Sequence, residues 1–270
     1  MPDLPQDAPI LLVSVNNTRT RIGLGVSGEV VVSGSIVNAD VDAMAREAAA
    51  LLADHPTPSL TLLASVNDAV AGSFSLALRN VFPAADVFRL GRDLAIPLAL
   101  AVEEPDAVGV DRQLDALAAF DRAQQACAVV DVGTAVTVDF IDGQGTFQGG
   151  AIAPGLNPML EALSRRTERL PEITFETVEA EGAFGKNTGH AMRLGVAAAV
   201  RGLVRDRVEA FAEAFGAFPV VVATGGDMGV LEGDGLIEHF VPDLTLQGML
   251  VAARRAVKED EDDDDLPRLG

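Results

Sequence analysis

The chain of 270 residues has no tryptophan, no tyrosine and only one cysteine, and its three histidines lie far apart. A single cysteine excludes a disulfide framework, and Cys127, in the apolar run "ACAVVDVG", reads as a small buried hydrophobe. His55, His190 and His239 show no metal-ligand spacing, and no Ser-His-Asp or Cys-His arrangement stands out. With aromatics limited to 12 phenylalanines, the core must be built from Ala, Val and Leu, which suits parallel strands covered by helices. An α/β fold is therefore expected.

Positive charge is scarce too, and the formal net charge is -20. Such a chain lacks the basic face that would release counterions from nucleic acid or hold an anionic membrane, so neither partner is expected. Residues 259–270, "EDEDDDDLPRLG", account for six of those net charges and read as a disordered acidic tail, because like charges cannot bury apolar surface. The N-terminal extension 1–9, "MPDLPQDAP", has no basic and apolar secretory pattern, and no apolar run is long enough to span a bilayer. The expected location is the cytoplasm.

What is present is a pattern used twice. "ILLVSV" (residues 10–15) reads as a buried strand, "NNTRT" as a polar turn, and "RIGLGV" and "EVVVSGSIV" as two further strands of a meander. A helix over "DVDAMAREAAALLADH", a strand "SLTLLASV", a helix over "AGSFSLALRNVF" and a strand near "DVFRL" follow. The pattern restarts at "ACAVVDVGTAVTVDFIDGQGTFQGGAIAPGL", with later helices at about 155–166, 187–216 and 245–257 and a strand "FPVVVATGG". Two such units suggest two similar lobes with a cleft between them, 10–120 and 121–258.

The turns carry the polar chemistry. In "DVGTAVT", Asp131 ends a strand just ahead of Gly133 and Thr134, which serves either a plain hairpin or a phosphate loop with a cation-holding carboxylate. "VVVATGGDMGVL" runs a strand into Gly225 and Gly226 and then a helix, which is either an ordinary turn or a close approach to an anionic ligand. "GVDR" places Asp111 beside Arg112 at a helix start, as a base and clamp or as a first-turn acid with a surface arginine. "GKNTGHAM" is not a Walker A loop: the first glycine of that motif falls on Ala180, and Asn187 follows Lys186. Asn187 or Thr188 reads as a helix cap or a ligand contact.

Taken in order, "NNTRTRIGL", "GVDR", "DVGTAVTVDF", "GGAIAPGL", "GKNT", "ATGG" and "PDLTLQGM" resemble the type III pantothenate kinases over residues 10–257. The resemblance implies two ribonuclease-H-like lobes of the actin-like ATPase fold, a homodimer, and transfer of phosphate from ATP to pantothenate, the first step of coenzyme A synthesis. It also implies a divalent cation such as magnesium and a monovalent one, potassium or ammonium. By position, Asp111 is then the base. Gly109, Val110, Arg112, Val102 and Thr188 line the pantothenate site. Ser14, Asn16, Asn17, Thr18, Arg19, Thr20, Thr134, Gly225 and Gly226 serve ATP, and Asp131 holds the monovalent cation.

Two departures qualify the resemblance. The first phosphate loop of the family resembles "DVGNTNT", whereas this chain reads "SVNNTRT", so Ser14 stands for Asp and Asn16 for Gly. The family's Tyr-x-Asn-Pro segment is "VEEP" here, with Val102 for the tyrosine. These changes leave three expectations: a kinase of weakened activity, with Arg19 or Arg21 offsetting phosphate charge; a nucleotide- and pantothenate-binding pseudokinase; or a kinase of a related small hydroxy acid or amide.

Overall fold

The apolar run Ile10–Val15 forms β1, and its unbroken hydrophobicity follows from burial on both faces: Leu11, Val13 and Val15 enter one core cluster and Leu12 another. The structure, a computed structural model, describes residues 8–176 and 183–264. The chain divides into two units, one made of residues up to Ala99, Glu103–Arg122 and the segment from Asp243 on, the other of Leu100–Val102 and Ala123–Pro242.

In the first unit, β1 pairs antiparallel with β2 (Arg19–Val26), which pairs with β3 (Glu29–Val37). On its other side β1 runs parallel to β4 (Leu60–Ser65), and β4 to β5 (Asp86–Arg89). The sheet order is β3-β2-β1-β4-β5. Helices α1 (Val41–Leu51), capped by Asp40, and α2 (Asp68–Val81), capped by Asn67, cover one face through Met44, Ala48, Phe74 and Leu78.

The other face is covered by α3 (Val110–Ala123) and α6 (Leu244–Asp264), whose Leu114, Leu117, Leu246 and Met249 pack with Leu12 and Leu62. Gly23 makes this possible, since a Cβ there would lie 2.7 Å from Leu246 Cδ1. Although α6 follows the second sheet in sequence, it is packed into the first unit. Its backbone continues as helix to Asp264, into the run expected to be disordered from residue 259; residues 265–270 lie outside those described.

The second unit repeats the plan. Its sheet, β11-β10-β7-β8-β9-β6, joins β7 (Cys127–Val132), β8 (Ala135–Ile141) and β9 (Thr146–Pro154) as an antiparallel meander, with β10 (Val220–Thr224) and β11 (His239–Phe240) parallel to β7 and β6 (Ala99–Leu100) at the edge. Helices α4 (Leu156–Arg166) and α5 (Thr188–Phe215) cover one face through Leu156, Leu160, Val196, Val200 and Val204. Cys127 is buried, and burial pushes its thiol up to about 12, so it is chemically inert filling. Among the described residues no helix is long and apolar enough to cross a membrane.

Candidate active site

Parallel strands aligned in one direction leave their carboxyl ends free at one edge, and ligands of open α/β sheets gather there. In the first unit that edge holds both sequence-selected segments. The β1–β2 turn begins just after Ser14 and Val15, and Val66, following β4, donates its N–H to Val15 O at 3.1 Å. A Cβ on Gly109 would lie 3.7 Å from Val66 Cγ1, and one on Gly91 would lie 3.2 Å from Val110 Cγ2. The "GVDR" segment and the first loop therefore meet at one end of one sheet.

Asp111 lies in the first turn of α3, where the positive helix end favours a carboxylate. Its Oδ1 accepts the Arg112 N–H at 2.8 Å. Burial pushes its carboxyl above the ordinary 3.8, against the opposing pull of that hydrogen bond and of the Arg112 charge. Gln113 anchors the helix start by donating from Nε2 to Val108 O at 2.9 Å. A carboxylate oriented by a backbone N–H and made more basic by burial is suited to take a proton from a hydroxyl.

The first loop is a tight hairpin closed by Asn16 N–H to Arg19 O at 3.0 Å. Asn38, just past β3, braces it: Nδ2 donates to Asn16 O and Oδ1 accepts from Thr20 Oγ1, both at 2.7 Å. Thr20 is 0% exposed, so its hydroxyl is part of this brace and not an open nucleotide contact. Asn17, Thr18 and Arg19 are exposed, and Ser14 is almost entirely covered. Asn16 stands where the family has glycine, and it does so without backbone strain, because residue 16 does not adopt a positive φ. Its Oδ1 is buried with no hydrogen-bond partner, an acceptor that awaits a donor.

Arg19 turns towards β3, donating from Nε to Ser35 Oγ at 2.8 Å and from Nη2 to Ser35 O at 3.0 Å. Arg21 instead pairs with Asp243.

In the second unit the corresponding edge gathers Asp131, Gly133, Thr134, Gly225 and Gly226. Thr224 pairs with Asp131 across β10 and β7, and Asp227 N–H donates to Val132 O at 2.9 Å. Gly225 has φ 93°, and any Cβ on it would collide with Asp131 Oδ1 and the Val132 backbone. Only glycine lets the ATGG turn press against Asp131. Gly133 N–H donates to Ala135 O at 2.9 Å, and Gly155 N–H to Thr134 O at 3.0 Å, which fixes the turn and leaves Thr134 exposed. The helix expected after the double glycine is only a 3-10 turn, Met228–Leu231, too short to present the aligned amides of a true helix N-terminus.

Thr188 is the exposed first residue of α5, and Asn187 is the cap, accepting the His190 N–H at 2.8 Å. Val102, in the second unit, lies 3.5 Å from where a Cβ on Gly149 would stand, whereas Gly109–Arg112 belong to the first unit. Among the described residues no group of three or more His, Cys, Asp or Glu is placed to hold a metal ion. Asn38 escaped sequence reasoning, and Gly155 and Asp243, although inside the quoted "GGAIAPGL" and "PDLTLQGM", were given no role; their parts are long-range hydrogen bonds or close backbone approaches, which leave no local pattern.

The family profile described as type III pantothenate kinase matches residues 10–210. A type III pantothenate kinase of Rhodospirillum rubrum is 35% identical over 196 residues, which are 72% of this chain and 76% of that protein. One from Dehalococcoides mccartyi is 32% identical over 251 residues, 90% of this chain and 96% of the relative. In fold, the chain is similar to a Baf family transcriptional activator from Campylobacter jejuni (TM-score 0.60, 20% identity, 93% and 99% of the two chains). It is also similar to component A of the (R)-2-hydroxyglutaryl-CoA dehydratase of Acidaminococcus fermentans (TM-score 0.51, 17% identity, 94% and 99%).

Proposed function

The chain belongs to the type III pantothenate kinase family, and from that premise we propose how its own side chains carry the reaction. It is an ATP-dependent kinase that converts pantothenate to 4′-phosphopantothenate in coenzyme A biosynthesis, with ATP and a divalent cation as the family requires. The observation that carries the site reading is Asp111, a basic carboxylate held by the Arg112 N–H at the carboxyl edge of the first sheet.

In this reading Asp111 takes the proton of the pantothenate hydroxyl as its oxygen attacks the γ-phosphorus of ATP. The new P–O bond forms as the bond to the β-phosphate oxygen breaks, and ADP leaves with the electron pair. Gly109, Val110 and Arg112 of the first unit are assigned to pantothenate, the Arg112 guanidinium matching its carboxylate, and the family resemblance adds Val102 and Thr188 to its binding residues. Thr134, Gly225 and Gly226 are assigned to ATP in the second unit, where the open side of Gly226 suits close approach to phosphate. Asn16, Asn17 and Thr18 are assigned to ATP in the first, whereas Arg19, tied to Ser35, is not.

The divalent ion supplies charge neutralisation for the phosphates. The first-loop residues fit it only through neutral oxygens: Ser14 brings a hydroxyl, and the partnerless Asn16 Oδ1 can accept from water on the ion. Asp131, pressed by the Gly225 turn, fits a monovalent cation such as potassium or ammonium. We assign the chain to a cytoplasmic homodimer, as the family resemblance implies.

Coupled ADP release with ATP, magnesium and potassium, with and without pantothenate, tests the reading. Pantothenate-dependent turnover that Asp111→Asn abolishes is expected. Ser14 and Val102 favour a second reading, a binding pseudokinase, which gains if turnover is absent while ATP or pantothenate still raises the melting temperature.

A further inference from the structure

Where the resemblance leads one to expect a carboxylate, the first loop has the hydroxyl of Ser14, and the β1–β2 register shows what stands beside it. Ser14 pairs directly with Arg21, so the two side chains leave the same face of the sheet as neighbours. Arg21 reaches Asp243, just ahead of α6, with Nε at 2.7 Å and Nη2 at 2.6 Å from the same oxygen, Oδ1. Both side chains keep about a quarter of their surface, 25% and 24%, so an incoming anion can reach the pair. A guanidinium has five N–H donors, and the Asp243 contact occupies one edge of that fork.

Arg19 cannot fill the same role from its place, because it is bound to Ser35 on the far side of β2 from β1. Residues 8–18 contain no acid and no base, so Arg21 is the cation that the register sets next to Ser14. A carboxylate at position 14 would compete for the guanidinium donors that Asp243 leaves unused. A hydroxyl there leaves those donors to an incoming anion.

We propose that Arg21, oriented by Asp243, is the phosphate-binding cation of the first loop, and that it allows the polyphosphate of ATP to bind without a divalent ion anchored by the protein at position 14. The proposal rests on the kinase reading of the same site and says which charge the chain uses there. Ser14 and Arg21 act together: a hydroxyl at position 14 offers no charged anchor for an ion and leaves the second edge of the Arg21 guanidinium to phosphate oxygens.

The test is calorimetric titration of ATP into the full chain, once in excess magnesium and once in EDTA; the lack of tryptophan makes intrinsic fluorescence a poor probe. Wild type is expected to bind in EDTA with an affinity within about threefold of that in magnesium. Arg21→Gln is expected to weaken binding in EDTA by about tenfold or more, as loss of a charge-assisted contact to phosphate should, while Arg21→Lys retains most of it. Ser14→Asp, which places a carboxylate against Arg21, should weaken EDTA binding similarly and make magnesium necessary. Melting curves of each variant separate loss of binding from loss of fold, and Ser14→Asp supplies the result if Arg21→Gln does not fold. Wild-type binding that needs magnesium, or EDTA binding that falls less than tenfold in Arg21→Gln, overturns the proposal and leaves the kinase reading intact. No ATP binding by wild type in either buffer overturns both.

Discussion

The two units place a hairpin at the same point of the same sheet plan, yet the turns differ in length, residues 16–19 between Val15 and Thr20 against 133–135 between Val132 and Val136, and in chemistry. In the second, Asp131 ends the first strand and a bare glycine turn presses against its carboxylate. In the first, Ser14 stands at the corresponding strand end, and the turn is braced instead by Asn38 through side-chain hydrogen bonds. A hairpin thus forms there with or without the carboxylate. In the proposal above, the charge of the first unit comes from Arg21, held by Asp243, neither of which belongs to its turn.

The largest effect is expected at Asp111, which has no counterpart in the second unit. Asp111→Asn should lower pantothenate-dependent turnover by on the order of 100- to 10,000-fold in the coupled assay. Because burial raises this carboxyl in the folded state, the folded protein holds the proton more tightly than the unfolded chain. Ionised Asp111 therefore costs stability, fully so above its folded pKa, and the cost disappears below the unfolded value near 3.8. Asp111→Asn should consequently melt no lower than wild type at neutral pH. Activity of wild type should fall with acid at a pH above the ordinary carboxylate range. An acid limb at or below 3.8 would contradict this.

Gly225→Ala strikes the second loop: it combines a positive φ with a collision at Asp131 and should cost about 2–3 kcal/mol in urea unfolding and weaken ATP binding. Asn38→Ala strikes the brace of the first, and loss of two hydrogen bonds should cost about 1–2 kcal/mol. If both substitutions weaken ATP binding, the two hairpins contribute alike despite their different chemistry; if only Gly225→Ala does, the comparison sharpens in favour of the second. The smallest effect belongs to Asp121, which ties α3 to α6. Its own burial works against ionisation, but hydrogen bonds from Arg254 and Arg255 prevail and hold it below the usual range. These groups are partly exposed, so Asp121→Asn should cost at most about 1 kcal/mol in the same unfolding experiment.

Much of this was legible along the chain. Both meanders, the helix starts at Asp40 and Asn187, and the α/β class follow from runs of Val and Leu, caps and turn residues, all of them short-range signals. The helix over "AGSFSLALRNVF" begins earlier than its apolar spacing suggested, at Asp68, because Asn67 supplies a cap that hydrophobic periodicity does not register. The missing helix after Gly226 has the opposite cause. Gly225 is strained and tightly placed, and the chain leaves it in a single 3-10 turn.

Of the candidate site, the residue types and their order were readable, since a strand-end acid followed by Gly-Thr, or an acid beside an arginine at a helix start, is a local arrangement. Which arginine faces Ser14 was not readable. Arg19 and Arg21 are two residues apart on one face of one strand, and only the register of β1 and the arrival of α6 from the far end of the chain send one to Ser35 and the other to Asp243. Sequence by itself determined the elements, because backbone conformation answers to near neighbours. Tertiary structure decided the burial that makes Asp111 basic, the backbone contact that demands Gly225, and the partner of each arginine, because burial, close approach and ion pairing depend on residues brought together from distant parts of the chain.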